Sequence, residues 1–292
     1  MVAGGSPEGD PPVFACQNHP GPVLSVMEHS KTVDRGGSRT ALVAAAFVLM
    51  VSVNALANIL PIGGQMTGAI SDRYVSMFTP AGFTFSIWGV IYSGLLAFVI
   101  VQALPRFRQD ASLARMDMPF VLNGLFNAAW IVAWHYEQLA LSMVIMLGLL
   151  GTLIVLHREA QRQSGLLWKL AVLYPVSVYF AWVCMATLAN ISILQSAWGW
   201  NDALMDEQIW TFLKLAIALT VTAFVYLRYR NVAFVIVVAW ASWGIQANQP
   251  EDSLVQTAAL VCFFLCVAAV GVHIVGRVMG VAAFDHYQTT YE

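Results

Sequence analysis

Charged side chains are scarce in this sequence. Only 10% of its 292 residues are Asp, Glu, Lys or Arg, where soluble domains carry about 25%. A soluble domain of this length needs far more polar side chains to cover its surface, which excludes a soluble enzyme and a disordered chain. The net charge of −2 also makes nucleic acid a poor candidate for a partner.

Cysteines and catalytic motifs are sparse as well. The four Cys form no paired C-x-x-C pattern, which excludes a disulfide scaffold and disfavours a metal site. The sequence contains no Walker loop, no H-E-x-x-H and no Ser/His/Asp set. No apolar run carries the acidic residue typical of proton-coupled transport. We therefore expect no enzyme activity, no obligatory cofactor and no bound metal.

Apolar residues make up 59% of the chain, and the mean hydropathy is +0.70. Lipid cannot satisfy free backbone groups, and a helix of about 20 apolar residues crosses about 30 Å of hydrocarbon. The sequence thus predicts an all-α fold, a polytopic integral membrane bundle of eight transmembrane helices. The apolar runs are 41–60, 82–104, 119–136, 139–157, 169–193, 209–227, 232–248 and 254–276.

Basic residues are distributed unevenly over the loops that eight spans create. Twelve of the 14 Lys and Arg residues lie before the first span, after the last span or in alternate loops, all on one side. The opposite side holds only Arg73, and Lys214 lies inside the sixth run. Because Lys and Arg mark cytoplasmic loops, this asymmetry predicts a multi-pass protein of the cell membrane, plasma or inner, with both termini cytoplasmic.

Amide side chains recur inside these runs at helical spacing. Asn54 with Asn58, and Asn123 with Asn127, are four residues apart, and Asn190 lies in the fifth run. An amide facing lipid is costly, so these side chains should point into the bundle. Two interpretations stay open, namely hydrogen bonds between helices or the polar floor of a ligand pocket.

Tryptophans are the second unusual feature of the runs. Each indole N–H needs a hydrogen-bond partner, so five of them at membrane depth are more than packing requires. Besides packing, a flat, aromatic-lined pocket for a planar or sterol-like ligand would account for them. They are Trp88, Trp130, Trp182, Trp240 and Trp243.

Three segments, in order, carry a family resemblance. FTPAGFTFSIWGVIY (78–92) is similar to T-P-P-x-W-x-F-x-P-x-W-x-x-x-Y, and LNGLFNAAW (122–130) to L-N-x-x-W. YFAWVCMATLAN (179–190) is similar to Y-x-x-W-V-x-x-A-T-x-x-N. Over residues 41–194 the chain therefore resembles the tryptophan-rich sensory protein family (TspO, the translocator or peripheral benzodiazepine receptor family).

The resemblance implies a five-helix bundle with a pocket near the first extramembrane loop, and three further helices follow it here. Family members bind porphyrins and other flat hydrophobic ligands, including sterols, in sensing or transport. The implied ligand is thus a porphyrin, another tetrapyrrole or a lipid. Carried over to this sequence, the ligand-binding residues are Trp88, Tyr92, Asn127, Trp130, Trp182, Ala186 and Asn190.

The first motif departs from the family pattern. Ala81 replaces the second Pro, and Phe83 stands where the family often has Trp. Between Phe85 and Trp88 one residue and a Pro are missing, so we expect a displaced pocket wall there.

The spans and the resemblance together divide the chain into five parts. Residues 1–40 form a disordered polar cytoplasmic tail, residues 41–194 the TspO-like membrane domain and residues 195–208 an outer loop. Residues 209–276 form a three-helix membrane extension, and residues 277–292 a cytoplasmic tail. We expect the loop Pro61 to Pro80 to cover the pocket mouth and to become ordered when a ligand binds.

Two other functions remain open at this point. One is a small-solute permease, which requires helices broken at mid-membrane. The other is a structural subunit of a larger membrane complex. The expected partners are membrane lipid, a hydrophobic small molecule, and a second copy of the chain or other subunits of such a complex.

The topology is testable by labelling introduced cysteines. We expect Asp202→Cys to react with a membrane-impermeant maleimide on intact cells, and Gln163→Cys to react only after permeabilisation, because their loops lie on opposite sides. Mass spectrometry of the labelled peptides separates these sites from the native cysteines. The reverse pattern, or both sites on one side, contradicts the eight-span topology.

Overall fold

The computed structural model describes Met1 and residues 37–60, 62–74, 76–200 and 205–280. Contacts separate residues 1–32 from residues 33–292, and every described helix belongs to the second unit. Most of the predicted N-terminal tail and residues 281–292 of the C-terminal tail lie outside the described residues, so both tails stay predictions.

The described chain is helical, without a β-strand. Short segments connect some of the described helices. They are the 3-10 segments Ile62–Gly64, Gly82–Ser86 and Pro105–Phe107 and the π-helical segment Lys169–Leu173. The α-helices are α1 Gly37–Ile59, α2 Thr67–Arg73, α3 Ile87–Ala103, α4 Ala111–His135, α5 Leu139–Ala160, α6 Leu166–Trp168, α7 Tyr174–Ala197, α8 Glu207–Tyr229, α9 Val232–Ala247 and α10 Leu254–Val278.

Seven helical segments of the described chain are long and apolar enough to cross a membrane. They contain α1, α3, α4, α5, α7, α8 and α10, and α6 continues through the π-helical segment into α7. The remaining predicted span, 232–248, corresponds to α9, which has 16 residues and is about 24 Å long at 1.5 Å per residue. The chain is therefore a helical multi-pass membrane protein, while the count of eight stays a prediction.

Helix α4 begins eight residues before the predicted span, at Ala111. The Asp110 side chain accepts hydrogen bonds from the backbone N–H groups of Ser112 and Leu113, both at 2.9 Å, which caps the helix. The added turns contain polar residues, namely Ser112, Arg115 and the buried Asp117. Hydropathy alone places the start of this helix too late because it does not detect a capped polar beginning.

The core bundle is formed by α1, α3, α4, α5 and α7, with α7 at its centre. Helix α4 packs against α1 and α5, and α7 packs against α3, α5 and α9. Two glycines allow close approach: a Cβ on Gly124 would lie 3.0 Å from the Ala46 carbonyl oxygen, and one on Gly94 would lie 3.0 Å from Pro175 Cβ. These contacts fix α4 against α1 and α3 against α7.

The three later helices pack onto this core through α9. At the start of α9 the Asn231 amide donates a hydrogen bond to Ser177 Oγ at 2.6 Å and lies 3.0 Å from His157 Nε2. Phe234 meets Phe180 of α7 edge-on, with ring centroids 5.3 Å apart. The described helices thus form one unit, in which α10 packs on α9 and α8.

A bulkier residue at Gly124 should loosen the α1–α4 contact. We expect Gly124→Val to lower the free energy of unfolding by about 1–3 kcal/mol, because the side chain would overlap the α1 backbone. Gly151→Val is the matched control, since nothing lies within 4 Å of a Cβ at that helical position. Thermal melting in one detergent measures both, and equal melting temperatures would contradict the packing described here.

Candidate ligand-binding site

A cavity of about 670 Å³ lies between the helices. Helices α1, α2, α3, α4, α7 and α9 line it, together with the segment that leads into α3. Its volume falls within the range of about 300–1,000 Å³ that is common for small-molecule sites. It lies toward the end of the bundle where the first interhelical loop joins α1 to α3, the position that the resemblance implies.

Six of the seven residues selected from the sequence line this cavity. They come from three helices and are Trp88, Tyr92, Trp130, Trp182, Ala186 and Asn190. Phe85 lines it as well, so the two residues on either side of the shortened part of the motif, Phe85 and Trp88, both lie at the wall. The cavity brings these side chains together, and their role in binding stays a prediction.

Asn127 is the exception, because it is fully buried and does not belong to the lining residues. Its Nδ2 donates to the Tyr179 hydroxyl at 2.7 Å, and its Oδ1 accepts from Asn54 Nδ2 at 2.6 Å. Asn54 itself lines the cavity. Helical periodicity identifies the correct face of α4, and the structure places Asn127 behind the cavity floor.

Aromatic rings cover two sides of the cavity. Trp88 and Tyr92 of α3 stack at 5.4 Å with an interplanar angle of 23°, and Trp130 and Trp134 of α4 stack at 5.5 Å and 24°. The Trp182 ring lies edge-on to Trp88, at 6.4 Å and 84°. Ring faces and edges in these orientations favour contact with flat apolar molecules.

The polar groups of the lining fall into two sets. The Trp130 indole donates to Asn190 Oδ1 at 3.0 Å, and the Trp134 indole donates to the Thr67 carbonyl at 3.1 Å. By contrast, the Trp182 indole nitrogen and the Tyr92 hydroxyl are buried without a hydrogen-bond partner among the described residues. A buried donor without a partner is costly, so an acceptor from a ligand or from water would stabilise both.

The other polar and aromatic candidates lie elsewhere. Asn123 donates to Thr152 Oγ1 at 2.9 Å, which is a contact between α4 and α5, and Trp243 packs on Phe263 at 5.3 Å. The side chain of Asn58 lies outside what the structure describes. In the described part of the chain, no group of three or more His, Cys, Asp or Glu side chains is placed to hold a metal ion.

The first loop contributes its short helix α2 to the cavity wall, through residues that include Thr67, Ser71 and Asp72. Loop and core meet at Glu137, between α4 and α5. Its carboxylate accepts hydrogen bonds from Arg73 Nη1 at 2.8 Å, Tyr74 Oη at 2.9 Å and Gln65 Nε2 at 3.1 Å, a set of contacts that we call the Glu137 latch.

The latch favours the charged form of the carboxyl. Hydrogen bonds from Gln65 and Tyr74, together with the charge of Arg73, hold the pKa of Glu137 below its ordinary value of 4.5. Because this pKa is lowered, the latch contributes stability above the ordinary carboxyl pKa and loses it as the pH falls through the lowered value.

Sequence reasoning missed the contribution of α9. Ala241 and Ile245 both line the cavity, although they belong to the extension. The only signal in the sequence is their spacing of four residues, which puts them on one helix face. Nothing in that spacing indicates which partner the face contacts.

The fold and cavity define a multi-pass helical membrane protein with an aromatic-lined cavity between its helices. The sequence matches the profile of the TSPO-like protein family over residues 40–272, which is about four fifths of the chain, and the chain belongs to that family. The match includes α8, α9 and most of α10, beyond the motifs of residues 41–194. No curated protein and no solved structure matched the chain.

Weakening the latch should expose the first loop. We expect Glu137→Gln to speed trypsin cleavage after Arg73 severalfold at neutral pH, because the amide no longer attracts the guanidinium. Glu159→Gln is the matched control, since it removes a carboxylate that pairs with Arg115 and Arg162. In the wild type, pepsin cleavage of the loop should rise as the pH falls below about 4.5, and Glu137→Gln should flatten that rise. Cleavage after Arg73 that is equally fast in the wild type and in Glu137→Gln would contradict the latch.

Proposed function

We propose that this protein binds a flat hydrophobic ligand of the porphyrin, tetrapyrrole or sterol type in its intramembrane cavity, for sensing or transport. A single observation carries the proposal: the cavity of about 670 Å³ is walled by two stacked aromatic pairs, on α3 and on α4. Membership of the TSPO-like family supports the same function. We infer a binding protein rather than an enzyme.

The unpartnered donors suggest how a ligand is oriented. Trp182 Nε1 and Tyr92 Oη come from α7 and α3, and both can donate a hydrogen bond. A ligand with an apolar ring system and an acceptor at its edge would stack on the rings and accept from these groups. The side-chain oxygen of Asn190 already accepts a hydrogen bond from the Trp130 indole, so its main role is to position that indole.

We also propose that α9 crosses the membrane as a short span between α8 and α10. The chain then has eight spans, which puts both termini in the cytoplasm of a cell whose plasma or inner membrane holds the protein. Helix α9 packs against α7 and α10 and carries mostly apolar residues, so contacts with protein replace part of its contact with lipid. With eight spans the cavity lies toward the outer face. This orientation agrees with the distribution of Lys and Arg along the sequence.

Ala186 is the position that best separates a ligand cavity from a closely packed interior. We expect Ala186→Phe to fill the cavity and to lower the affinity for protoporphyrin IX at least tenfold, while the melting temperature changes by only a few degrees. In an interior without space, the same change would overpack the helices and cost about 1–3 kcal/mol of stability. Affinity is measured by quenching of tryptophan fluorescence in detergent.

The matched control for Ala186→Phe is Ala197→Phe, because Ala197 is an exposed position at the end of the same helix. It should bind the porphyrin as tightly as the wild type. The proposed function is wrong if the wild type binds neither protoporphyrin IX nor cholesterol, or if Ala186→Phe binds the ligand as tightly as the wild type does.

A further inference from the structure

The extension reaches the cavity through one face of α9. Ala241 and Ile245 are four residues apart, are each 1% exposed, and both line the cavity. The other lining residues of the described chain precede residue 200 and belong to the core helices and to the segments between them. A ligand that fills the cavity would therefore touch the core and the extension at the same time.

Side chains and backbone at the carboxyl end of α9 hold the segment that leads into α3. The Trp240 indole donates to the Thr84 carbonyl at 2.9 Å, and the Asn248 amide donates to the Thr79 carbonyl at 3.0 Å. The Ala81 backbone N–H donates to the Gly244 carbonyl at 2.9 Å. Because this segment carries Phe78, Pro80, Gly82 and Phe85 to the cavity wall, α9 positions a second part of the lining.

Three further contacts hold the same segment. Gln249 Nε2 donates to the Met77 carbonyl at 2.9 Å, and the Met77 backbone N–H donates to Glu207 Oε1 of α8 at 2.8 Å. The Phe83 ring lies edge-on to Trp240, with centroids 5.5 Å apart. Residues 77–84 are thus held by both α8 and α9.

Gly244 shows how close the approach is. A Cβ at this position would overlap the side chain of Thr84. Only glycine at position 244 therefore allows α9 to approach the segment this closely. At the opposite end of α9, Asn231 bonds to Ser177 of α7. Since α9 is attached at both ends, its register along α7 fixes where Ala241 and Ile245 stand.

We propose that α9 is the size-determining wall of the ligand site, so that the extension takes part in selecting the ligand. The inference rests on the proposed function of the cavity. Ala241 and Ile245 limit the width of the ligand from the side of the extension. The hydrogen bonds between α9 and residues 77–84 position the part of the cavity wall that this segment forms.

A bulky side chain at Ala241 tests this role. We expect Ala241→Phe to lower the affinity for protoporphyrin IX at least tenfold, and Ala247→Phe, at an exposed position on the same helix, to change it less than twofold. Ile245→Ala should widen the site and raise the affinity for a bulkier porphyrin, such as one with phenyl substituents, relative to protoporphyrin IX. If both variants keep the relative affinities of the wild type, α9 does not select the ligand.

A second measurement does not depend on porphyrin binding. Ala241→Cys should react with the small thiol reagent methyl methanethiosulfonate at least tenfold faster than Val235→Cys, because both positions are 1% exposed but only Ala241 lines the cavity. Mass spectrometry of peptides separates each site from the native cysteines. Equal rates would overturn the inference, even where Ala241→Phe fails to fold.

The two experiments also separate failure of this inference from failure of the proposed function. A wild type that binds neither protoporphyrin IX nor cholesterol contradicts the proposed function, and the reaction rates still decide whether α9 faces the cavity. If the wild type binds, porphyrin should slow the labelling of Ala241→Cys severalfold. Labelling that bound porphyrin leaves unchanged overturns the proposal that the ligand contacts α9.

Discussion

Buried amides cannot exchange their hydrogen bonds with water inside a membrane, so they must find partners in the protein. Asn54, Asn127 and Tyr179 meet this requirement together, in a chain of hydrogen bonds of 2.6 and 2.7 Å that joins α1, α4 and α7. Asn54 lines the cavity, and Asn127 lies behind it. These hydrogen bonds join three of the helices that line the cavity.

The same requirement decides what each tryptophan does. The Trp168 indole donates to the Ala160 carbonyl, which joins α6 to the end of the preceding helix α5. The Trp240 indole donates to the Thr84 carbonyl, which joins α9 to a segment more than 150 residues earlier in the sequence. Trp130 is held by Asn190. Trp182 differs from them, because it lines the cavity and its indole has no partner among the described residues. Composition alone cannot distinguish a structural tryptophan from one that faces a cavity.

Hydropathy and helical periodicity predicted much of this molecule, because lipid exposure depends on local sequence. The predicted run 139–157 became Leu139–Ala160, and the faces of α3 and α7 that carry the aromatic motifs do meet at the cavity. Depth within a face could not be predicted, since it depends on which neighbouring helix supplies a partner. Asn54 lines the cavity, and Asn127 lies behind Asn54 without reaching the cavity. The contact between α9 and residues 77–84 depends on packing over more than 150 positions of sequence, for which the sequence offers no local signal.

This long-range contact explains how an irregular segment can form part of the cavity wall. Residues 77–81 are not helical, so the carbonyls of Met77 and Thr79 have no partners within a helix. A carbonyl that packing removes from water costs free energy when it has no partner, so irregular backbone packed against helices needs donors from the protein. Gln249 and Asn248 supply them here. The extension thus satisfies the segment that leads into α3, and the shortened motif keeps Phe85 at the cavity because a neighbouring helix supports its backbone.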